Sequence, residues 1–363
     1  MKVMAGIDLH SNNAVIALVN EQGQRLGHKK VPCHIDAVEK FLQPHRPQLS
    51  RIAVESTFNW YWLVDGLQQR GYPVVLANPA GMTQYDGLKH ADDKTDAYHL
   101  ANLLRLEILP TGHIYDRELR PVRDLLRRRV SLVQQRTALV LSLKSLHHRV
   151  KGDPLSRNEV AVLTNETLDK LFDHPVDRFV AREQVQLVQC YNQAIGRIEK
   201  TVMGKTRDLP NYQPVIELPG VGRILGLTIT LETGPIDRFK TAGDYASYCR
   251  CVDAGRYSNG KSKGDNNSKC GNKYLAWAFV EAAQYARRYY PECRAFYDRK
   301  EAKANAAVAT KALACKLSKA AWHLMKEGTP FDMKRMFPQC KTGAAGTDQN
   351  PTPTSLTSLG SVS

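Results

Sequence analysis

The sequence has no long apolar run, few cysteines, and fewer acidic than basic residues. None of its 363 residues fall in a stretch of about 18 consecutive apolar residues, which argues against a transmembrane helix. Eight cysteines are too sparse for a disulfide scaffold and favour reduced thiols in the cytosol. The start of the chain, Met1–Gly6, leads into a strand that ends in an acid and not into an apolar signal region, so we expect a cytoplasmic protein.

What the chain does have is an ordinary globular composition with a large positive charge. Hydrophobic residues make up 42% and charged residues 24%, which argues against wholesale disorder, and the length predicts two or three domains. The 51 Lys and Arg residues exceed the 36 Asp and Glu residues, so the formal net charge is +15. This excess predicts an anionic partner without identifying it.

Two regions carry much of the basic excess. Residues 117–151 contain ten Lys and Arg residues against two acids, and leucines at near-helical spacing predict one long amphipathic helix. Its basic face, with Arg127, Arg128 and Arg129, is typical either of a surface that follows a nucleic-acid backbone or of a solvated helix in a bundle. A second basic cluster over residues 256–273 contains Lys261, Lys263 and Lys269.

The first 112 residues show the pattern of an α/β domain. Apolar runs between turns predict three consecutive strands, and alternating helices and strands follow them. The predicted strands are Val3–Asp8, Ala14–Val19, Arg25–Val31, Arg51–Glu55 and Pro73–Ala77, and the predicted helices are Ile35–Leu42, Trp60–Arg70 and a segment from near Asp93 through Leu104. This order predicts a mixed sheet.

The remaining chain is predicted to be mostly helical. Residues 113–205 form a basic helical or coiled-coil region, interrupted around Gly152-Asp153-Pro154, in which Arg178–Val202 returns against the first long helix. Residues 206–341 form a separate, mostly α domain with helices such as Tyr274–Ala286 and Ala302–Met325. Residues 342–363 are rich in Gly, Thr, Ser and Pro, which predicts a disordered tail.

Four carboxylates stand where one edge of the predicted sheet gathers strand ends and a helix start. They are Asp8, Glu55, Asp93 and Asp96. Carboxylates gathered at such an edge repel one another unless a cation neutralises them, and their oxygens suit Mg²⁺ or Mn²⁺. The alternative for Asp93 and Asp96 is helix capping. His10 could contact a metal-bound water, although a surface histidine is the commoner outcome.

Short motifs in a fixed order add a family resemblance. The first half contains Gly6-Ile7-Asp8, Val54-Glu55-Ser56-Thr57 and Asp93-Lys94-Thr95-Asp96-Ala97. The second half contains Leu218-Pro219-Gly220-Val221-Gly222, Asp237-Arg238-Phe239, Tyr257-Ser258-Asn259-Gly260 and Cys270-Gly271-Asn272-Lys273-Tyr274-Leu275. Over about residues 3–335 the ordered set resembles the Piv/MooV-type DEDD transposases, the insertion-sequence one-ten family.

The resemblance implies an RNase H-like (RuvC-like) N-terminal domain that holds Mg²⁺ (or Mn²⁺) on Asp8, Glu55, Asp93 and Asp96. It implies a DNA recombinase in which a serine of the C-terminal domain becomes covalently attached to DNA. It also implies guidance by a structured non-coding RNA of the element, and multimers in which the serine domain of one subunit completes the acidic site of another. The expected partners are therefore DNA, a guide RNA and further copies of the chain, as a dimer or tetramer, at the bacterial nucleoid.

The nucleophile and the phosphate contacts follow from the second-half motifs. The family's serine usually directly precedes glycine, whereas Asn259 has that place here, so Ser258 is the first candidate and Ser262 and Ser268 are weaker ones. The three lysines of the second basic cluster would balance phosphate charge around it. Gly220 and Gly222 would turn the backbone tightly and present N–H groups to phosphate, or form a plain helix–helix turn.

Other interpretations of the sequence stay open. Cys249, Cys251 and Cys270 suggest zinc, but a closed site needs four ligands, so buried free thiols are favoured. The acids alone would serve a RuvC-like nuclease that hydrolyses branched DNA. A non-catalytic nucleic-acid-binding protein would need neither acids nor serine. An actin-like ATPase would share the opening strands and Asp8, but a second phosphate loop is not recognisable.

Overall fold

A computed structural model describes residues 1–82, 92–156, 159–160, 163–252, 255–259, 261–265 and 270–338, with the backbone alone at residues 165, 256–258 and 262–265. The chain divides into two compact units. The first is Met1–Arg117 together with Ala254–Cys270, and the second is Glu118–Asp253 together with the chain from Gly271 onward. The predicted tail, 342–363, lies outside the described residues.

The first unit is built on a six-stranded mixed sheet. Its strands are β1 (Val3–Leu9), β2 (Asn13–Asn20), β3 (Arg25–Pro32), β4 (Leu49–Glu55), β5 (Val74–Ala77) and β6 (Thr111–Gly112), in the spatial order β3-β2-β1-β4-β5-β6. β1, β4 and β5 are parallel, and the other pairs are antiparallel. The predicted α/β class with a mixed sheet is confirmed; β6 is an addition that its two residues were too short to signal.

Helices cover both faces of this sheet. They are α1 (Ile35–Leu42), α2 (Tyr61–Gln69), α3 (Pro79–Met82) and α4 (Asp93–Arg105). α1 and α2 pack over Ile7, Ile52 and Val54, whereas α4 packs over Met4 and Ala53. Because successive side chains of a strand point to opposite faces, Asp8 and Glu55 fall on the α4 face.

Gly6 allows α4 to lie unusually close to β1. A Cβ atom at this position would stand 2.1 Å from the Ala97 carbonyl oxygen and 2.6 Å from the Ala101 nitrogen. Real Cβ atoms do not approach backbone atoms so closely, so only glycine permits this approach. The first turn of α4 is thereby brought toward the strand that carries Asp8.

The second unit begins with two long antiparallel helices, α5 (Leu119–Lys151) and, after the short α6 (Asn165–Leu171), α7 (Pro175–Thr206). Hydrogen bonds join Arg129 to Glu199, Arg136 to Asn192 and Gln184 to Ser142, so one helix runs back along the other. α5 ends at Lys151, and Gly152, which has φ of +80°, is its C-terminal cap. The predicted helical pair and its interruption are confirmed.

The rest of the second unit is a helical domain around one apolar core. Its helices are α8 (Tyr212–Ile216), α9 (Arg223–Thr233), α10 (Ala242–Tyr248), α11 (Lys273–Tyr289), α12 (Pro291–Glu301), α13 (Ala306–Glu327) and α14 (Met333–Met336). The predicted helix Ala302–Met325 starts late: Asn305 accepts a hydrogen bond from the Val308 N–H and begins α13 at Ala306.

A hairpin of β7 (Gly255–Ser258) and β8 (Lys261–Asp265) departs from the predicted layout. From the sequence it was expected inside the C-terminal domain, whereas in the structure it belongs to the first compact unit. Ser258 pairs with Lys261, and Asn259, which follows Ser258, has φ of +51°. Asn-Gly is the strongest short-range hairpin signal, and it was present in the sequence.

Candidate functional site

Asp8 and Glu55 lie side by side at the ends of two parallel strands. The register pairs Ile7 with Val54, so each acid comes one residue further along its own strand. Asp8 is 5% exposed, and its carboxyl group lies close enough to that of Glu55 for each to shift the pKa of the other. Two carboxyl groups this close share a proton or need a cation between them.

Asp93 and Asp96 lie in the first turn of α4 on the same side of the sheet. Capping is done by their neighbour Asp92, whose carboxylate accepts a hydrogen bond of 2.6 Å from the Thr95 N–H. The alternative explanation of Asp93 and Asp96 as the capping residues is therefore not needed. Asp93 instead contacts the Lys30 ammonium at 3.3 Å and the His10 ring at 3.4 Å.

The four acids influence one another's proton affinity. Burial and the neighbouring Asp8 raise the pKa of Glu55 from 4.5 to about 7. Burial also raises the pKa of Asp8 and of Asp96. Repulsion from the neighbouring Asp93 raises both pKa values further. A hydrogen bond from Lys30 lowers the pKa of Asp93. The predicted set of four thus forms one electrostatic cluster, and such clusters favour a divalent cation.

His10 belongs to this cluster as well, which sequence reasoning undervalued. One ligand atom from each of Asp8, His10 and Asp93 lies within 4.8 Å of the others, and no other group of this kind occurs in the described ranges. His10 follows Asp8 by two residues, and this spacing on an extended chain places both side chains on one face. That spacing was the available signal. Carboxylate oxygens together with an imidazole nitrogen fit a divalent metal ion.

Lysines line the cleft beside the acids. A cleft of about 610 Å³ is lined by Asp93, Lys29, Lys30 and Lys94, among others. Ammonium groups next to a carboxylate cluster can hold the phosphates of an anionic chain while the cluster holds a cation.

For the predicted nucleophile Ser258, the structure describes the backbone alone. Ser258 is the last residue of β7, and Lys261 is exposed at the start of β8, which also contains Lys263 and Ser262. Lys269 and Ser268 lie outside the described residues. The hairpin belongs to the same unit as the acids of its own chain. The roles of Ser258 and the three lysines stay predictions.

The arginine triplet is largely occupied within the second unit. Arg127 makes two hydrogen bonds to Glu232, of 2.5 and 2.7 Å, and its guanidinium lies 4.5 Å from the centre of the Tyr274 ring. Arg129 is 3% exposed and is paired with Glu199. Arg128 is exposed. Of the three, Arg128 is therefore the one in a position to meet a phosphate without breaking an ion pair.

Glu232 connects the long helix to the residues that follow the hairpin. It is 1% exposed, and besides Arg127 it accepts a hydrogen bond of 2.7 Å from the Asn272 amide. Asn272 in turn caps α11, since its side-chain oxygen accepts from the N–H groups of Tyr274 and Leu275. This buried network is architectural.

The two motif glycines differ from each other. Gly220 has φ of +76°, and a Cβ atom there would stand 2.1 Å from the Ala282 carbonyl oxygen, so it lets a turn pack closely on α11. Gly222 precedes α9 at its N-terminal cap and faces open space in the described part of the protein. Packing explains Gly220, whereas phosphate contact by either glycine stays a prediction.

The cysteines do not assemble a zinc site among the described residues. Cys249 and Cys251 are buried free thiols, and Cys270 is an exposed one. Burial raises the pKa of Cys249 well above its ordinary value and that of Cys251 to about 12. Thiols with such pKa values are poor metal ligands and serve as small apolar side chains.

Within the residues that the structure covers, no helix combines the length and the apolar character needed to cross a bilayer.

Comparison with known proteins gives the family. Residues 5–149 match the family model DEDD_Tnp_IS110, described as a transposase, and residues 212–298 match the model described as the transposase IS116/IS110/IS902 family. A transposase for insertion sequence element IS1328 of Yersinia enterocolitica is 24% identical over 90% of this chain and 98% of its own length. A putative transposase y4qE of Sinorhizobium fredii is 25% identical over 64% of this chain, and the match spans 57% of that relative. The segment that matches the first model includes all four acids, and the segment that matches the second includes Ser258. The chain belongs to the IS110 family of insertion-sequence transposases.

Proposed function

We propose that this protein is a DNA recombinase that moves its insertion sequence by metal-assisted strand exchange. The observation that carries the proposal is the convergence of Asp8, Glu55, Asp93 and Asp96 at one sheet edge, where burial and neighbouring carboxylates raise the pKa of Asp8, Glu55 and Asp96. The strand order of the first unit, with the acids at strand ends and at a helix start, supports an RNase H-like (RuvC-like) domain.

In this proposal the four acids hold Mg²⁺ or Mn²⁺. The ion would neutralise the cluster and stabilise the charge that develops on the phosphate oxygens. Asp8 and Glu55 fix the position from two rigid strands, and Asp93 and Asp96 close it from α4. Lys30 lies beside Asp93 and would take up the non-bridging oxygens of the scissile phosphate.

Ser258 would act as the nucleophile. Its hydroxyl oxygen forms a bond to phosphorus and gives up its proton, and the bridging oxygen of the DNA strand leaves with a proton. Attack by a strand end on the serine-linked phosphate would restore the serine hydroxyl and form the new phosphodiester bond, so that no phosphodiester bond is hydrolysed. The grouping of the β7–β8 hairpin with the acid-bearing unit supports a composite site.

The remaining positive charge is proposed to hold nucleic acid. Lys29, Lys30 and Lys94 line the cleft beside the acids, and Arg128 is exposed on α5. Such contacts position a nucleic acid but do not choose its sequence, so sequence choice would come from pairing with a guide RNA of the element. Assembly into a dimer or tetramer is part of the same proposal.

The test is recombination of the element in cells that supply its flanking RNA. We expect Asp8→Asn and Ser258→Ala each to lower recombination by at least about a hundredfold, because each removes a group that stabilises or forms the transition state. Asp36→Asn, an exposed acid of α1 in the same unit, and Ser262→Ala are the matched controls. Full activity of Asp8→Asn would contradict the metal site.

The assignment of Ser258 needs its own readout. Denatured reaction mixtures should contain protein covalently linked to DNA with the wild type and Ser262→Ala, and none with Ser258→Ala. Cleaved DNA without such an adduct would favour a RuvC-like nuclease that uses the same acids and water as the nucleophile.

A further inference from the structure

His10 has an unusual position among the acids. Its ring nitrogen Nε2 lies 3.3 Å from Oδ2 of Asp8 and 3.4 Å from Oδ1 of Asp93. The Nε2 atom is shielded from solvent, and it meets the geometry of a hydrogen bond with neither carboxylate nor with any other described group. A shielded nitrogen between two carboxylate oxygens is the arrangement of a third ligand.

These separations match the geometry of a small divalent cation. Ligands at about 2.1 Å on neighbouring corners of an octahedron are about 3.0 Å apart, and on opposite corners about 4.2 Å. The two distances from Nε2 are slightly longer than the neighbouring-corner value, as expected before a cation draws the ligands together. All three ligand atoms fall within 4.8 Å of one another, so one ion can contact them all.

The backbone of His10 is held firmly enough to keep this position. Its N–H donates to the Asn13 carbonyl at 2.9 Å. Its own carbonyl accepts a hydrogen bond of 2.8 Å from the Asn59 side chain and a longer one from Cys33. Asn59 comes from the loop that follows Glu55, so the segment that carries Glu55 also fixes the histidine.

Asp93 divides its two oxygens in a way that agrees with this arrangement. Its Oδ2 faces Lys30, while Oδ1 faces His10. One oxygen is therefore turned outward to an ammonium group, and the other is turned inward to the place where Asp8 and His10 meet.

We propose that His10 is a direct metal ligand beside the four acids, so that a cation in the cluster contacts His10 Nε2 together with Asp8 Oδ2 and Asp93 Oδ1, and that the site prefers Mn²⁺ to Mg²⁺. An imidazole nitrogen suits transition-metal ions better than Mg²⁺, which prefers oxygen. The inference rests on the proposed function only in taking the acid cluster as a metal site. It adds a ligand that the four carboxylates do not include, and with it a preference among metals.

The test uses the full chain and Mn²⁺ alone. Pulsed electron paramagnetic resonance of the bound Mn²⁺ should show nuclear modulation from an imidazole ¹⁴N in the wild type. The modulation should be absent in His10→Gln and unchanged in His34→Gln, a control at a more exposed histidine of the same unit. His10→Gln should weaken Mn²⁺ binding at least about tenfold and Mg²⁺ binding much less.

The outcomes separate this inference from the proposed function. If the wild type binds Mn²⁺, loses it in Asp8→Asn, and shows no ¹⁴N modulation, His10 only balances the charge of the carboxylates and the inference is overturned. If the wild type binds no Mn²⁺, or Asp8→Asn binds it equally well, the proposed metal site fails too. A wild-type spectrum without ¹⁴N modulation overturns the inference whatever the folding of any variant. When the modulation is present, its loss in His10→Gln and its persistence in His34→Gln assign it to His10.

Discussion

The acid-bearing edge of the first unit places like charges next to each other, whereas the long helices of the second unit pair opposite charges. At the edge, Asp8 and Glu55 are placed next to each other, and burial raises both pKa values. In the helices, Arg127 meets Glu232 and Arg129 meets Glu199, each with hydrogen bonds between opposite charges.

The difference shows which charges hold the structure together. A buried ion pair that satisfies its hydrogen bonds belongs to the architecture, and breaking it is costly. Like charges gathered at a strand edge do not stabilise a fold, so their presence there indicates a site for something else. The basic helix, which the sequence presented as a candidate nucleic-acid surface, is in part an internal scaffold.

The largest effect on stability is expected from breaking a helical ion pair. Glu232→Ala removes the acceptor for both Arg127 and Asn272, and we expect the free energy of unfolding to fall by about 3 kcal/mol. Urea denaturation monitored by circular dichroism measures it. Arg128→Ala, at the exposed neighbour of Arg127, is the control. Equal stability of Glu232→Ala and the wild type would end the contrast between the two regions.

A smaller effect is expected from the close approach of α4 to β1. Gly6→Ala places a Cβ atom against the Ala97 carbonyl, and α4 must shift, at a cost of about 1–3 kcal/mol. The shift moves Asp93 and Asp96 away from Asp8, so Mn²⁺ binding by titration calorimetry should weaken as well. Gly27→Ala on β3, where a Cβ atom meets no described atom within 4 Å, should leave both quantities near wild type.

The pH dependence of stability should reveal the repulsion among the acids. The folded protein keeps the Glu55 proton up to about pH 7, whereas the unfolded chain releases it near pH 4.5. The folded state therefore binds more protons between these values, and the free energy of unfolding falls as the pH rises through this window. A shift of this size corresponds to at most about 3 kcal/mol. Because water screens the partly exposed Glu55 carboxyl, we expect a loss of about 1 kcal/mol in EDTA, measured by thermal melting.

Two comparisons sharpen this pH prediction. In Glu55→Gln most of this decline in the free energy of unfolding should be absent. In the wild type, saturating Mn²⁺ should abolish the decline because the cation takes the place of the proton. A decline of the same size in Glu55→Gln would show that other groups cause it.

The smallest effect is expected at Arg128. Its replacement by Ala should leave stability within about 0.5 kcal/mol of wild type, because the side chain is exposed. The slope of log binding constant against log salt, measured with DNA or with the element's RNA, should fall by about 0.7–0.9 if Arg128 contacts one phosphate. An unchanged slope would remove Arg128 from the nucleic-acid surface.

Most elements of the first unit could be predicted from local pattern. Apolar runs and turns predicted β1 to β5, and the helix Ile35–Leu42 matches residue for residue. These elements are signalled within a few residues of sequence. The hairpin at 255–265 was not predicted, although Asn259-Gly260 signals it, because the stretch around it is polar and was taken for a loop.

The acids of the candidate site could be predicted from the sequence, whereas the place of His10 among them could not. Asp8, Glu55, Asp93 and Asp96 follow from strand ends and one helix turn. The spacing of Asp8 and His10 was a signal for this histidine, but its place beside Asp93 depends on a distance between residues more than 80 positions apart along the chain. Likewise the partners of Arg127 and Arg129 come from α9 and α7, and a sequence pattern shows the charge but not what neutralises it.

The sequence by itself determined the α/β order of the first unit, the long helical pair, the four acids and the family motifs, since each depends on short-range periodicity or on residue type. Only the tertiary structure decided which charged side chains form ion pairs and which lie next to side chains of the same charge. Asp92 rather than Asp93 or Asp96 caps α4, two of three arginines are occupied internally, and His10 joins the acids. The physical reason is that Coulomb interactions and burial depend on distances between segments that are far apart along the chain.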